Sequence, residues 1–411
     1  MNADPGLLRE IRELRGRSVE QVAKDCGVDR STVERWESGD VKPYPRNREA
    51  LALALNVPSG LLLRAVWGPT QEERRMYRRH LLQMVMGLPV FALPDLPGFD
   101  LHETTVRLVQ RYATTAPAQL LADARIHLDL LTAALEGRLG RGQHRQLLVD
   151  AVNTASLAAC AAKADGHPGE AGAYRVLARK LADESGIDRL RGCVLLHSAF
   201  AHRPVWGDGD PLAALQLLGA AAPLVGSRGL VAMEVAMGQA ENYAALLDRK
   251  RDARAAIERA EAAGVGDDGE GFFSASGWFA GDDDPHLLAG WEGFCHLLLK
   301  RTDEGLQLLG HAVAVPHANA RATAKFHYTV ALGHTIAGSD PEPACEAAHR
   351  SLDVSEATGY RLGVPRIWIV RGRMLPEWAD TQCVRALDER LNARGSSPVP
   401  PGPPGPPGLA I

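Results

Sequence analysis

The chain has 411 residues with 46 basic and 50 acidic side chains, a formal net charge of −4 and 45% hydrophobic residues. This length excludes a single small domain, and the composition is that of an ordinary soluble globular protein. Neither a leader-like N-terminus nor an apolar run near the roughly 20 residues that span a bilayer is present. We therefore expect a cytoplasmic protein without a membrane segment.

The N-terminal segment carries the signals of short, sharply capped helices. Ser18 and Gln21 have the spacing of a capping box, which satisfies the free amides at a helix start. Gly27 suits the left-handed conformation that ends such a helix, and Asp29 is a good N-cap for the next helix, which Gly39 ends. Two short helices around a tight turn are typical of a helix-turn-helix, which places one helix in a DNA groove.

Apolar residues in this segment recur at helical spacing and predict one small core. Its expected members are Leu7, Ile11, Leu14, Val22, Ala23, Val28, Val33, Trp36, Leu51, Ala54, Leu55 and Val57. On the third helix this pattern leaves Arg30, Ser31, Glu34 and Arg35 facing outward.

The third helix ends in Trp36-Glu37-Ser38-Gly39, and a basic, proline-containing loop, Lys42-Pro43-Tyr44-Pro45-Arg46, follows it. Together with the capped helix and the glycine turn, this pattern resembles the XRE (lambda-Cro-like) repressor family over roughly the first sixth of the chain. The resemblance implies a five-helix DNA-binding domain over residues 1–67.

The resemblance also implies roles for individual side chains. Base-reading positions of the family fall on Arg30, Ser31, Thr32 and Arg35, and its phosphate contacts fall on Ser18, Lys42 and Arg46. Its buried ion pair between the first and third helices falls on Arg12 and Glu37. An arginine that reads a guanine edge with two hydrogen bonds contributes about 1–3 kcal/mol of discrimination, whereas phosphate contacts position the protein without reading sequence.

The charge of this segment is nearly balanced, with 11 basic and 10 acidic residues among residues 1–66. A broad basic patch, which many DNA-binding domains carry, is therefore missing. Affinity would then depend on local charge placement and on two copies of the domain, so we expect a homodimer on a two-fold DNA operator.

A basic stretch followed by an apolar one, Arg74 to Pro94, lies between this domain and the remainder of the chain. Gly87, Pro89 and Pro94 interrupt the apolar part, so we interpret residues 68–104 as a basic helix and an apolar linker. A contact with a membrane surface is the alternative.

Residues 105–394 show helical periodicity and almost no strand signal, which predicts an all-α domain. Helices led by a turn recur from Gly169, Asp210, Arg251, Thr302 and Asp340, at intervals of 41, 41, 51 and 38 residues. A further helix precedes each, so the repeating unit is a helical pair that buries its apolar face by stacking on its neighbours. This resembles an α-solenoid of tetratricopeptide-like pairs, although that family's period is about 34 residues.

Such a solenoid fused to a helix-turn-helix resembles the peptide-sensing regulators of Gram-positive bacteria, in which asparagine side chains hold a peptide backbone. An asparagine amide offers both donors and acceptors to an extended peptide. The resemblance makes Asn153, Asn242 and Asn319 candidates for an effector groove, with Tyr243 and Tyr328 beside them. The alternative for each is an ordinary helix-surface or helix-end residue.

The usual fingerprints of catalysis and cofactor binding are missing. The glycines at 264, 266 and 269 match a dinucleotide motif, but they lie in an acidic, aromatic insertion, residues 264–285, rather than between a strand and a helix. His327 and His334 lack the carboxylates of a metal site. We expect no enzyme activity, cofactor or metal, and we expect the Pro/Gly-rich tail, residues 395–411, to be disordered.

The sequence thus favours a bacterial transcription regulator whose solenoid senses a peptide, a small effector or a protein partner and mediates dimerisation. The competing hypothesis is an interaction scaffold or antitoxin-like module, in which the small domain serves for docking. The insertion at residues 264–285 is interpreted either as a lid over the groove or as a surface loop.

Overall fold

The computed structural model describes residues 5–57, 59–67, 101–136, 139–203, 209–246, 248–263, 285–314 and 320–393. All regular elements in these ranges are helical, which confirms the predicted all-α class. The chain divides into two compact units, residues 1–105 with 122–150 and residues 106–121 with 151–411.

The first eight helices are α1 (Pro5–Leu14), α2 (Val19–Cys26), α3 (Arg30–Glu37), α4 (Pro45–Ala54), α5 (Ser59–Trp67), α6 (Leu101–Gln110), α7 (Pro117–Leu135) and α8 (Arg141–Ala164). The next six are α9 (Pro168–Ser185), α10 (Asp188–Ala199), α11 (Pro211–Val225), α12 (Leu230–Ala244), α13 (Lys250–Ala263) and α14 (Pro285–Leu298). The last five are α15 (Thr302–Ala314), α16 (Ala320–Ala337), α17 (Pro341–Thr358), α18 (Gly363–Arg373) and α19 (Gln382–Asn392).

The turn between α2 and α3 follows from local backbone chemistry. The Gln21 amide donates to Ser18 Oγ at 3.2 Å, and the Ser18 amide donates to Gln21 Oε1 at 2.8 Å, which completes the predicted capping box. Gly27 ends α2 at a φ of 64°, where a side chain would be strained. Asp29 occupies the N-cap position of α3, but its side chain makes no capping hydrogen bond.

The core of α1–α5 contains most of the residues that the apolar spacing predicts. Leu7, Ile11, Val33, Trp36 and Leu55 are all at most 2% exposed. The prediction for Leu14 was wrong: its side chain is 47% exposed because α1 ends at this residue and the chain then turns at Gly16. Val28 and Ala54 are only half-buried, while Leu8, Ala52, Leu62, Ala65 and Val66 complete the core.

The second unit is built from stacked helical pairs. Helices α10 with α11, α12 with α13, α14 with α15, and α16 with α17 pack as consecutive pairs. In addition, α10, α12, α14, α16 and α18 each contact the next member of this series, so they form one continuous layer. The predicted pair starts agree closely with helices that begin at Pro168, Pro211, Lys250, Thr302 and Pro341.

Two aspartates begin helices α11 and α17, which pack beside this layer, and one glycine allows two of its members to approach closely. Asp210 accepts hydrogen bonds from the Leu212 and Ala213 amides, and Asp340 accepts one from the Glu342 amide. Gly290 on α14 lies against α16 so closely that a Cβ there would come within 2.2 Å of the Phe326 ring. Only glycine permits this approach of the two helices.

Helix α8 has the length and composition of a membrane span, but 89% of its apolar window is buried within the structure. Such burial is typical of a core helix in a globular unit. Several sequence-based expectations lie outside the described residues: the linker from residue 68 to 100, the insertion from 264 to 284, Asn319, and the tail.

Candidate nucleic-acid interface and helical-domain cavity

Helix α3 divides into a buried face and an exposed face. Val33, Trp36 and Glu37 are buried, and α3 packs against α1 and α2. Of the four predicted base-reading residues, Arg30, Ser31 and Arg35 are exposed and Thr32 is half-buried. The structure therefore brings these four side chains together on one short helix.

Arg30 is held by two acidic neighbours. Its Nε donates to Glu34 Oε1 at 2.7 Å, and its Nη1 donates to Glu20 Oε1 at 2.6 Å, with the Arg30 side chain 63% exposed. Exposed ion pairs of this kind contribute about 0–1 kcal/mol, which is less than a bidentate guanine contact provides. Release of Arg30 toward a base is therefore energetically accessible.

The other predicted DNA contacts are exposed as well. Arg35 forms no ion pair with any residue in the described ranges. Ser18 accepts the Gln21 amide, and its own hydroxyl hydrogen stays available to a phosphate oxygen. Lys42 and Arg46 flank Tyr44, whose ring is 69% exposed, in the loop and first turn after α3.

Beneath this surface, Arg12 on α1 and Glu37 on α3 form a two-point ion pair. Arg12 Nε donates to Glu37 Oε1 at 2.6 Å and Nη2 donates to Oε2 at 3.2 Å, while Nη1 donates to the Arg17 carbonyl at 3.0 Å. The side chains are 11% and 5% exposed. The hydrogen bond to Glu37 raises the pKa of Arg12, and the pair fixes α3 against α1.

A family model described as helix-turn-helix matches residues 8–62. The segment is a helix-turn-helix domain. Its match begins within α1 and ends within α5, so it includes the turn at Gly27 and all of α3. None of the curated proteins matches the chain.

Among solved structures, PlcR of Bacillus thuringiensis in complex with the peptide PapR7 and DNA is similar at 13% identity. The alignment covers 87% of this chain and 96% of that chain, with a TM-score of 0.28. A score this low does not establish a common fold, so no property of PlcR is carried over to this chain on that ground.

Apart from the helix-turn-helix domain, the second unit contains a cavity with about 1010 Å³ of empty volume, part of it open to solvent. We call it the cationic cavity because five basic residues line it: Lys163, Arg175, Arg203, Arg321 and Lys325. Aromatic rings also line it, from Tyr112, Phe200, Trp291, Phe326 and Tyr360. No acidic side chain belongs to the described lining.

Two of the arginines are fixed by hydrogen bonds. Arg203 is 2% exposed; its Nε donates to Glu241 Oε2 at 2.7 Å, and its guanidinium lies 4.8 Å from the centroid of the Trp291 ring. Arg321 donates to the main-chain carbonyls of Tyr112 and Thr115 and stacks 4.5 Å from the Tyr112 ring. These contacts keep both guanidinium groups rigid at the cavity wall.

Lys325 and Arg175 have no such partners. Neither side chain forms an ion pair or a hydrogen bond with a residue in the described ranges, and the Lys325 ammonium lies 5.5 Å from the centroid of Trp291. Burial and the nearby Arg203 lower the pKa of Lys325 well below its usual value, although Glu241 acts in the opposite direction. Burial also lowers the pKa of Arg175.

Two other lining groups are uncharged near neutral pH. Burial lowers the pKa of His197 to about 4 and raises the pKa of the Cys160 thiol to about 11. At neutral pH His197 is therefore a neutral imidazole and Cys160 a weakly nucleophilic thiol. The cavity presents fixed positive charge, aromatic surface and few other ionisable groups.

The residues predicted for an effector groove occupy other places. Asn153, Asn242 and Tyr328 are buried, and Asn242 Nδ2 donates to the Gly238 carbonyl at 2.7 Å within α12. Tyr243 is half-buried, with the Arg249 guanidinium 4.7 Å from its ring centroid. None of these four lines the cationic cavity. Their role in effector binding stays a prediction.

The sequence reasoning missed the basic residues of the cavity. Lys163 and Lys325 lie within apolar, alanine-rich stretches of α8 and α16. Such stretches are typical of helices that are buried on most sides, where a charged side chain is not expected. A lysine within such a stretch was the available signal, because long basic side chains rarely lie in a protein interior.

Proposed function

We propose that the protein is a cytoplasmic, non-enzymatic transcription regulator that binds an operator as a homodimer and responds to a ligand of its helical-pair region. The observation that carries this proposal is α3 of the helix-turn-helix domain. Its exposed face holds Arg30, Ser31 and Arg35, while the Arg12–Glu37 pair fixes its position from below. A rigid helix with exposed arginines has the form that major-groove reading requires.

In this proposal, Arg30, Ser31, Thr32 and Arg35 contact base edges, and Ser18, Lys42 and Arg46 contact phosphates. Two domains of a dimer meet half-sites about 34 Å apart, so a change in their spacing alters affinity strongly. A ligand that favours one spacing over the other shifts binding by the difference in its affinity for the two states. This couples the helical pairs to transcription without any covalent chemistry.

The test is selection of randomised duplex DNA by the full-length protein, followed by affinity measurements on the enriched sequence. We expect a symmetric motif. Arg30→Ala and Arg35→Ala should each lose about 1–3 kcal/mol and relax the preference at one base position per half-site. Lys42→Ala and Arg46→Ala should weaken all sequences alike and reduce the salt dependence.

Lys24→Ala is the matched control, because it removes one exposed positive charge from α2 rather than from α3. It should change affinity without changing the motif. If no sequence is enriched, or if Arg30→Ala and Arg35→Ala behave like Lys24→Ala, base reading by α3 is refuted. The helix-turn-helix domain would then serve for docking to another protein.

A further inference from the structure

The cationic cavity is lined by five basic residues and by no acidic residue from the described part of the chain. Glu241 pairs with Arg203, and two hydrogen bonds of Arg321 go to neutral carbonyl groups. The side chains of Lys325 and Arg175 make neither hydrogen bonds nor ion pairs within the described residues. This contrasts with the chain beyond residue 66, which has 35 basic and 40 acidic residues and therefore offers acids in excess.

A half-buried cation without a charged partner is costly, because it loses part of its hydration and gains no compensating charge. The fold nevertheless places two such side chains, Lys325 and Arg175, at one cavity. An anion that enters the cavity removes this cost, and its hydrogen bonds to ammonium and guanidinium groups are of the stronger, charge-assisted kind.

The other lining residues indicate which kind of molecule carries the anionic group. Trp291, Phe326 and Phe200 present rings, and Val194, Ala159 and Leu362 present aliphatic surface. Pockets for small organic ligands combine apolar walls with a few polar groups. An inorganic anion would leave these apolar walls without a partner, whereas an amphipathic molecule satisfies both parts.

We propose that the cationic cavity binds a small organic anion, a carboxylate, sulfonate or phosphate ester attached to an aromatic or aliphatic body. Lys325 and Arg175 contact the anionic group, and Trp291 and Phe326 contact the body. Binding at this site is independent of DNA. That the anion acts as the effector rests on the proposed function.

The probe for the test is 1-anilinonaphthalene-8-sulfonate, an aromatic anion that becomes fluorescent in apolar sites. Its matched control ligand is N-phenyl-1-naphthylamine, which has the same rings without the sulfonate. Full-length protein should bind the sulfonate about tenfold or more tightly than the neutral amine, with saturation at one molecule per chain.

Lys325→Met and Arg175→Met remove the charges and keep much of the side-chain volume. Each should weaken binding of the sulfonate about ten- to a hundredfold, as loss of a hydrogen bond to a charged group does, and leave the neutral amine within about twofold. Lys180→Met, an exposed lysine on α9, is the control variant and should behave as wild type.

Equal affinity for the two dyes, or equal behaviour of Lys325→Met and Lys180→Met, would overturn the proposal. Far-ultraviolet circular dichroism checks that each variant is folded, and Lys325→Arg, which restores the charge, should recover binding of the sulfonate. Displacement by benzoate or by phenyl phosphate then compares the affinity of the site for a carboxylate and for a phosphate ester.

The two proposals fail separately in this design. Dye binding is measured without DNA, so a protein that lacks a symmetric DNA motif still tests the cavity. Conversely, loss of dye selectivity leaves the Arg30→Ala and Arg35→Ala comparison untouched. If the anion binds but does not change operator affinity in wild type, the cavity stands and its role as the effector site is refuted.

Discussion

The two regions described above differ in whether their charged side chains are paired with opposite charges. In the helix-turn-helix domain, Arg12 and Glu37 meet in a two-point pair, and a main-chain carbonyl takes one more of the arginine's hydrogens. At the cationic cavity, the side chains of Lys325 and Arg175 form no ion pair with an acid among the described residues. The first arrangement is matched in charge within the domain, whereas the second, in our proposal, is matched by a bound anion.

The largest expected effect concerns the Arg12–Glu37 ion pair. Glu37→Gln leaves the Arg12 guanidinium largely buried without its counter-charge, which should destabilise α1–α3 by about 3 kcal/mol. Hydrogen-exchange mass spectrometry of peptides from α1 and α3 measures the loss locally. Because the pair also fixes α3, DNA affinity should fall with it.

The control for that experiment is Glu13→Gln, which also lies near Arg12, at 3.6 Å, but is 61% exposed. It should change protection by less than about 0.5 kcal/mol. The double variant Arg12→Met, Glu37→Met should recover much of the loss, since apolar side chains can replace a buried pair. Equal effects of Glu37→Gln and Glu13→Gln would contradict the assignment of a buried pair.

The second prediction concerns a group that burial keeps uncharged at the cavity. The pKa of His197 is lowered to about 4 in the folded state, below its ordinary value of 6.5, so the unfolded state takes up a proton first as the pH falls. The contribution of neutral His197 to the free energy of unfolding is complete above about pH 6.5 and is lost as the pH falls toward 4. Between pH 7.5 and 5, the unfolding free energy should drop by about 2 kcal/mol on account of His197.

Urea denaturation at the two pH values, followed by circular dichroism, measures this loss. His197→Gln should reduce the pH dependence by that amount, while His311→Gln, an exposed histidine on α15, should retain the wild-type dependence. If His197→Gln shows the wild-type pH dependence, the buried imidazole is not the source.

The third prediction is that a substitution in the protein interior increases stability, whereas most such substitutions decrease it. Lys325→Met replaces a half-buried ammonium that forms no ion pair among the described residues by an apolar side chain, so the protein without a ligand should become more stable by about 1–2 kcal/mol. Differential scanning calorimetry should show a higher midpoint for the variant than for Lys180→Met. A lower midpoint would mean that Lys325 is matched by an acid after all.

The smallest effect belongs to the cap of α2. Ser18→Ala removes the acceptor of the Gln21 amide and should cost about 1 kcal/mol or less, because the site is exposed. Pulse proteolysis reports the change, and Ser18→Asp should retain most of the stability. A Ser18→Ala loss as large as that of Glu37→Gln would contradict the ranking of cap below ion pair.

Local sequence signals predicted the helix-turn-helix domain well. Ser18, Gln21 and Gly27 act through backbone geometry within a few residues, so their consequences can be inferred without knowing the tertiary fold. Leu14 was misjudged because its exposure depends on where α1 stops rather than on its spacing. The helical pairs were also predictable, since a turn before an alanine-rich helix recurs along the chain.

The cationic cavity was not predictable in the same way. Tyr112, Lys163, Arg203, Lys325 and Tyr360 are distant in sequence and belong to different helices or turns. No local pattern indicates that α8, α10, α14 and α16 bring their basic residues to one space. The asparagines were chosen for the chemistry of their amides, yet Asn242 uses its amide within its own helix.

The residues that line the cavity are far apart in the sequence, so the cavity forms late in the synthesis of the chain. A nascent protein cannot complete the cavity until residue 362 has left the ribosome, and a chain truncated before that residue lacks part of the lining. A ligand that binds only the complete cavity would therefore stabilise full-length molecules alone, by RT ln(1 + [L]/Kd).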